Sequence, residues 1–218
     1  MKKKGFIFDL DGVIVDTAKY HFLAWRRLAD SIDVDFTEEL NEQLKGVSRI
    51  KSLEKILEWG NKSISKEQFT ALMGAKNEEY LLHVANMDAS EILPDVPKIL
   101  NFLKEKGQPI GLGSASKNAR GILEKVQLLN YFDAIVDGTN VANAKPDPEV
   151  FLNAASLLGV APENCIVFED AVAGVQAANA ANMISIGIGK KETLKEADFV
   201  FNDFTEISKD FIEKLIKR

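Results

Sequence analysis

The chain has 218 residues, 46% of them hydrophobic and 28% charged, and its 27 basic and 33 acidic residues leave a net charge of −6. These values belong to a globular protein, not a disordered one. The acidic balance disfavours nucleic acid as the main partner, and no run of about 18 apolar residues is present to span a membrane. One cysteine, Cys165, and two histidines, His21 and His83, exclude an internal disulfide framework and a closed zinc site.

At about 150 residues per domain, the length fits one domain carrying a sizeable insertion. Lys2–Lys4 and Lys214–Arg218 read as solvated ends. The apolar stretch Gly5–Phe8 is too short for the hydrophobic region of a signal peptide, so a cytoplasmic protein is expected. Gly5–Leu10 reads as a strand that is apolar on both faces, as a central parallel strand is, and it runs into an acidic turn. From Thr17 to about Met87 the periodicity becomes helical. Tyr20–Ile32, Glu38–Leu44, Ile50–Trp59 and Lys66–Val84 carry apolar residues at three-to-four spacing. Ser48 and Ser65 are predicted N-caps, Ser65 forming a capping box with Gln68.

After Pro94 strands and helices alternate. Helices are predicted over Val96–Lys106, Lys117–Leu128, Pro148–Leu158, Ala171–Asn179 and Ile207–Ile216. Strands are predicted over Pro109–Gly113, Ala134–Asp137, Cys165–Phe168, Met183–Ile188 and Phe199–Phe201. This alternation predicts the α/β class, a doubly wound parallel sheet with helices on both faces. The core is expected to comprise residues 1–16 and 88–218. An α-helical cap domain, residues 17–87, is expected to be inserted after the first strand. Two short crossings beside an active edge suit a mobile lid.

Ligands of open α/β sheets bind beyond the carboxyl ends of the strands. The residues predicted there are Asp9, Asp11 and Gly12; Ser114, Ala115, Ser116, Lys117 and Asn118; Lys145-Pro146-Asp147; and Glu169-Asp170. Four carboxylates gathered at one edge stay ionised only beside a cation. Oxygen ligands select a hard ion, and Mg²⁺ is expected where phosphate also binds. Lys145, in a loop stiffened by two prolines, adds a fixed positive charge aimed inward.

In this order, Phe8-Asp9-Leu10-Asp11-Gly12-Val13, Ser114, Lys145-Pro146 and Glu169-Asp170 with Gly174 resemble the four motifs of the haloacid dehalogenase superfamily of aspartate-nucleophile phosphotransferases. Within it, Asp16–Phe22 with Trp25, Gly46-Val47-Ser48-Arg49, Lys76-Asn77 and Ser114–Asn118 resemble the β-phosphoglucomutase subfamily. The resemblance implies Asp9 as nucleophile and Asp11 as the acid and base that protonates a leaving sugar oxygen and later deprotonates an incoming hydroxyl. It implies one Mg²⁺ ion held by Asp9, Asp170, the backbone carbonyl of Asp11 and, directly or through water, Glu169. Ser114 is expected to hydrogen-bond the transferring phosphoryl group.

A mutase must also hold a second phosphate. Arg49 can fork onto one, and Ser116, Lys117 and Asn118 are expected to open a helix whose free N–H groups favour an anion. Gly46, Val47, Ser48, Ser52 and Ala115 complete the expected substrate wall. Thr17, His21 and Trp25 recur every four residues on one helix face near Asp11. There His21, with Lys76, is expected to orient Asp11; a packed amphipathic face is the competing reading, above all for Trp25. Lys45 reads as a solvated charge, and His83, Cys165 and Met183 read as packing residues.

The implied reaction interconverts β-D-glucose 1-phosphate and glucose 6-phosphate, with glucose 1,6-bisphosphate as activating intermediate and a small-molecule sugar phosphate as the partner of a monomer. A phosphatase of small sugar phosphates shares every core motif and stays open as the alternative. A non-catalytic sugar-phosphate sensor is a further rival, against which the intact Asp9, Asp11, Lys145 and Asp170 argue.

Overall fold

A computed structural model describes residues 3–218. Six strands form one sheet in the order β3-β2-β1-β4-β5-β6, every pair parallel. They are β1 (Gly5–Phe8), β2 (Ile110–Gly113), β3 (Ala134–Val136), β4 (Cys165–Glu169), β5 (Ile184–Ile188) and β6 (Phe199–Phe201). The helices are α1 (Ala18–Ser31), α2 (Glu38–Glu42), α3 (Arg49–Trp59), α4 (Lys66–Ala85), α5 (Val96–Glu105), α6 (Ala119–Lys125), α7 (Glu149–Leu158), α8 (Val172–Ala180) and α9 (Lys209–Lys217). Among the described residues no helix is long and apolar enough to cross a membrane.

β1 lies at the centre because both its faces are apolar. Side chains alternate across a strand, so Phe6 and Phe8 enter one hydrophobic cluster while Ile7 enters another on the opposite face. Phe8 stacks on Phe168 of β4 at 4.6 Å between ring centroids, directly across the pairing of the two strands. Full burial of such side chains contributes about 1.5–3 kcal/mol each, which fixes the register at the strand ends where the polar residues emerge. The helices of residues 17–87 have their own cluster, including Trp25, Leu28, Phe36, Leu53 and Ile56. Ala24, Tyr80 and Val84 join the sheet cluster instead. Ser48 and Ser65 cap α3 and α4 through their hydroxyls, and the capping box of Ser65 and Gln68 is present.

Two expectations are corrected. Lys4 is buried, not solvated: its Nζ donates to Asn164 Oδ1 at 2.9 Å and its backbone N–H to Gln108 Oε1 at 2.9 Å. Lys2 lies outside the described residues. The helix after β2 starts at Ala119 and not at Lys117. Serine hydroxyls there capture the backbone: Ser116 N–H donates to Ser114 Oγ at 3.1 Å and Asn118 N–H to Ser116 Oγ at 3.2 Å, local turns that compete with helix.

Candidate active site

The order reversal between β1 and its neighbours brings the ends of β2, β1 and β4 side by side, the position where open α/β sheets bind ligands. Beyond β1 the chain turns sharply. Gly12 has φ +77°, and a Cβ on it would run into the Asp170 carboxylate, so only glycine lets that carboxylate approach the β1 turn. Asp9 is nearly buried; its Oδ2 accepts the backbone N–H of Asp11 at 3.1 Å and its Oδ1 accepts from Lys145 Nζ at 2.5 Å. Lys145 is buried and also donates to Glu169 Oε1, while Glu169 Oε2 accepts the N–H of Ala171 at 2.9 Å. Glu149, at the start of α7, ties down the loop that carries Lys145 by accepting the N–H groups of Ala142 and Asn143 at 2.9 and 2.8 Å.

The charges answer this crowding. Burial pulls the Lys145 ammonium down, but Asp9 and Glu169 outweigh burial and hold it well above the usual lysine range. Burial, reinforced by the neighbouring Glu169 charge, pushes Asp170 well above the usual carboxylate range. Burial also raises Glu169, against the pull of Lys145. Asp11 is pushed up to about 6 by burial and by the Asp9 charge, with the Thr17 hydroxyl and Lys76 opposing. A carboxyl poised there can give and take a proton near neutral pH.

The opposite wall comes from helices α1 to α4. Thr17, the buried residue preceding α1, donates its hydroxyl to Asp11 Oδ1. One turn on, His21 Nε2 lies 3.8 Å from the same Asp11 oxygen, and His21 Nδ1 lies 2.8 Å from Lys76 Nζ. Burial, with Lys76 and Arg49 adding to it, keeps His21 neutral well below its ordinary range. A neutral imidazole accepting from Lys76 at Nδ1 carries its proton on Nε2, towards Asp11. Lys76 itself sits 4.8 Å from the Trp25 and Tyr80 ring centres, and burial and Arg49 bring it down to about 7. Arg49, the first residue of α3, is half-buried and makes no ion pair among the described residues.

The two walls enclose a cavity of about 470 Å³. Asp9, Asp11, His21, Trp25, Gly46, Val47, Ser48, Arg49, Ser52, Lys76, Ser114–Asn118, Lys145 and Asp170 all line it. A haloacid dehalogenase-like hydrolase family model matches residues 3–182.

The chain belongs to the haloacid dehalogenase-like hydrolases.

Among members of that family the chain is 40% identical over 213 residues to a β-phosphoglucomutase of Bacillus subtilis, covering 97% of this chain and 94% of that one. It is 34% identical over 182 residues to a phosphorylated carbohydrates phosphatase of Thermotoga maritima, covering 81% of each. A crystal structure of β-phosphoglucomutase from Clostridium difficile superposes with a TM-score of 0.95 at 43% identity, covering 99% of this chain and 98% of that one.

Two of the residues expected at the site do not reach the cavity. Thr17 acts on Asp11 from behind, and Glu169 is fully buried with both oxygens committed, one to Lys145 and one to the Ala171 N–H. Glu169 therefore orients Lys145 from behind the cavity wall. Ser116 and Asn118 line the cavity, but their N–H groups are occupied by serine hydroxyls and are not the free helix-start donors expected. Asn118 also donates to Asn77 of α4 at 3.3 Å, joining the two walls.

Lys45 was expected to be solvated. It instead stands 3.4 Å from Asp170 Oδ2 and 3.1 Å from Glu42. The Gly46 backbone that follows it, left-handed (φ +69°), packs against Ala171 and carries Lys45 there, a contact that nothing in the sequence signalled. Two more residues at the site carried no signal: Asn41, on the cavity wall, and Tyr80, whose ring lies 4.2 Å from that of His21.

An ion that the family implies fits this donor set. Among the described residues no three acidic, histidine or cysteine side chains form a metal cage. Asp9, Asp170 and the Asp11 carbonyl supply oxygens only, and Mg²⁺ takes one or two carboxylates and keeps its remaining positions for water and phosphate. The raised proton affinity of Asp170 marks a carboxylate that ionises fully only beside a cation.

Proposed function

We propose that this chain is a β-phosphoglucomutase, interconverting β-D-glucose 1-phosphate and glucose 6-phosphate through a phosphorylated Asp9 and glucose 1,6-bisphosphate. The observation that carries the reading is one cavity lined both by Lys145 beside Asp9 and by Arg49 and Lys117, two further cations that no carboxylate pairs among the described residues. A phosphatase needs the first and has less use for the other two.

Asp9 attacks phosphorus and holds the phosphoryl group as an acyl phosphate, splitting one transfer into two. Lys145 offsets the charge that shifts between carboxylate and phosphoryl oxygens, and Ser114 donates a hydrogen bond to the transferring group. Asp11 protonates the departing sugar oxygen in one direction and takes the proton from the attacking hydroxyl in the other. Thr17 and His21 hold its carboxylate in place. Mg²⁺, held by Asp9, Asp170 and the Asp11 carbonyl, with Glu169 reaching it directly or through water, would stabilise charge on the phosphoryl oxygens.

Arg49, Ser116, Lys117 and Asn118 bind the phosphate that is not reacting. Gly46, Val47, Ser48, Ser52, Ala115, His21, Trp25 and Lys76 surround the sugar. The bisphosphate leaves the reacting position, turns over and rebinds with its other phosphate at Asp9. Residues 17–87 act as a cap over the remaining residues, and its closure keeps water from phospho-Asp9. The whole cavity is built from one chain, so a monomer suffices.

The test is a coupled assay of β-glucose 1-phosphate with Mg²⁺, with and without glucose 1,6-bisphosphate, following glucose 6-phosphate and inorganic phosphate together. Glucose 6-phosphate formation stimulated by the bisphosphate is expected; rapid phosphate release without glucose 6-phosphate decides for the phosphatase.

A further inference from the structure

Asn41 is the one buried residue of α2, and it is polar. The exposed face of this five-residue helix carries Glu38, Glu39 and Glu42. Its inward position, three residues before the buried Leu44, is one where an amphipathic helix places an apolar side chain. The main chain of Asn41 is satisfied: its N–H donates to the Thr37 carbonyl at 3.0 Å and its carbonyl accepts from the Leu44 N–H at 2.9 Å. Its side-chain amide has no hydrogen-bond partner among the described residues. The only unpartnered side-chain polar atom sealed away from solvent among them is the Tyr80 hydroxyl. The Asn41 amide is therefore not sealed, and the open space that Asn41 borders is the cavity.

The amide meets that space with no partner of its own among the described residues, and a ligand group in the cavity is the partner it lacks. Of the cations lining the cavity, Arg49, Lys76, Lys117 and Lys145 stand on other segments, and Lys45, which follows α2, is paired with Glu42 and Asp170. The amide differs from these cations chemically. It offers two N–H donors and one carbonyl acceptor, so it can both donate to a hydroxyl oxygen and accept the hydroxyl proton.

Resting on the reading of the cavity as a glucose-phosphate site, we propose that Asn41 is a specificity-determining residue that hydrogen-bonds a ring hydroxyl of the sugar. Its N–H meets the hydroxyl oxygen and its carbonyl takes the hydroxyl proton. A site built this way rejects the sugar that lacks that hydroxyl, because the amide then stays unpaired.

The test is calorimetric binding of glucose 6-phosphate and of its 2-, 3- and 4-deoxy analogues to the wild-type chain, to Asn41→Leu and to Asn41→Asp. Loss of one neutral hydrogen bond corresponds to about 3–10-fold in affinity. The wild type is expected to bind one of the three deoxy sugars weaker by that factor. Asn41→Leu should bind glucose 6-phosphate weaker by a similar factor yet no longer distinguish it from that same deoxy sugar. Equal weakening of all four ligands, or no weakening, overturns the proposal. If Asn41→Leu does not fold, as judged by circular dichroism, Asn41→Asp carries the test. That variant removes both N–H donors and must weaken the parent sugar more than the same analogue; an equal loss overturns the proposal. A wild-type chain that binds none of the four overturns the glucose-phosphate reading itself, a result distinct from loss of selectivity in the variants.

Discussion

At the sheet edge, Lys145 closes a set of ion pairs with Asp9 and Glu169, all three buried. Across the cavity, Arg49, His21 and Lys76 stand close together, and neither Arg49 nor Lys76 has a carboxylate within ion-pair distance among the described residues. The first wall is satisfied by its own residues; in the second, burial first and the neighbouring positive charges after it bring Lys76 down to about 7 and His21 well below its usual range. The difference teaches where the two halves of the function lie. On the proposed function, the sheet edge carries the chemistry, positioned before any substrate arrives, while the helical wall is completed by the anion it receives.

This contrast ranks the expected effects of substitution. Asp9→Asn removes the nucleophile and should lower turnover by about 10⁴-fold or more, as read in the coupled assay; substantial residual mutase activity would remove Asp9 from the mechanism. Lys145→Met leaves Asp9 and Glu169 buried without their cation, and stranding a buried charge costs about 3–5 kcal/mol. Denaturant unfolding should show that loss, partly recovered by millimolar Mg²⁺; full stability without metal would mean that the ion pairs do not hold the edge together. Arg49→Ala should spare stability. It should lower mutase turnover by about 10–100-fold, the equivalent of one charged hydrogen bond of about 1.5–3 kcal/mol, while leaving hydrolysis of phospho-Asp9 much less affected. Equal losses in both rates would make Arg49 part of the chemistry and erase the division between the walls.

The smallest expected effect is on pH dependence. Asp11 must be ionised to act as base, so the acid limb of kcat/KM should fall as pH drops through about 6. Lys76 favours the ionised form of Asp11. Lys76→Gln should therefore raise the Asp11 value and move the acid limb upward by a fraction of a pH unit. A limb that stays in place, or moves downward, contradicts the coupling between the walls.

How much of this could be read in the sequence follows the same division. The sheet edge was legible because topology does the gathering: short apolar strands such as Gly5–Phe8 end at acids, and parallel connections bring those ends together. The helical wall was legible where residues share one helix face, as Thr17, His21 and Trp25 do. It was also legible at Ser48 and Ser65, whose capping is local chemistry. It was not legible where side-chain choice depends on tertiary contact. Lys45 has the composition of a surface charge, and only the packing of the Gly46 backbone on Ala171 carries it to Asp170. Asn41 sits on a short polar helix, with nothing in its spacing to say that its side chain is enclosed. Glu169 shares its motif with Asp170, but burial and the Ala171 N–H separate their roles.

The most direct measurement is quenched-flow mass spectrometry of the chain mixed with glucose 1,6-bisphosphate and Mg²⁺. A phosphoryl group should appear on the peptide containing Asp9 within the time of one turnover, and glucose 6-phosphate added in a chase should discharge it much faster than water does. A phosphoryl group found elsewhere, or an Asp9 label that water removes as fast as the sugar phosphate does, would contradict the mutase mechanism.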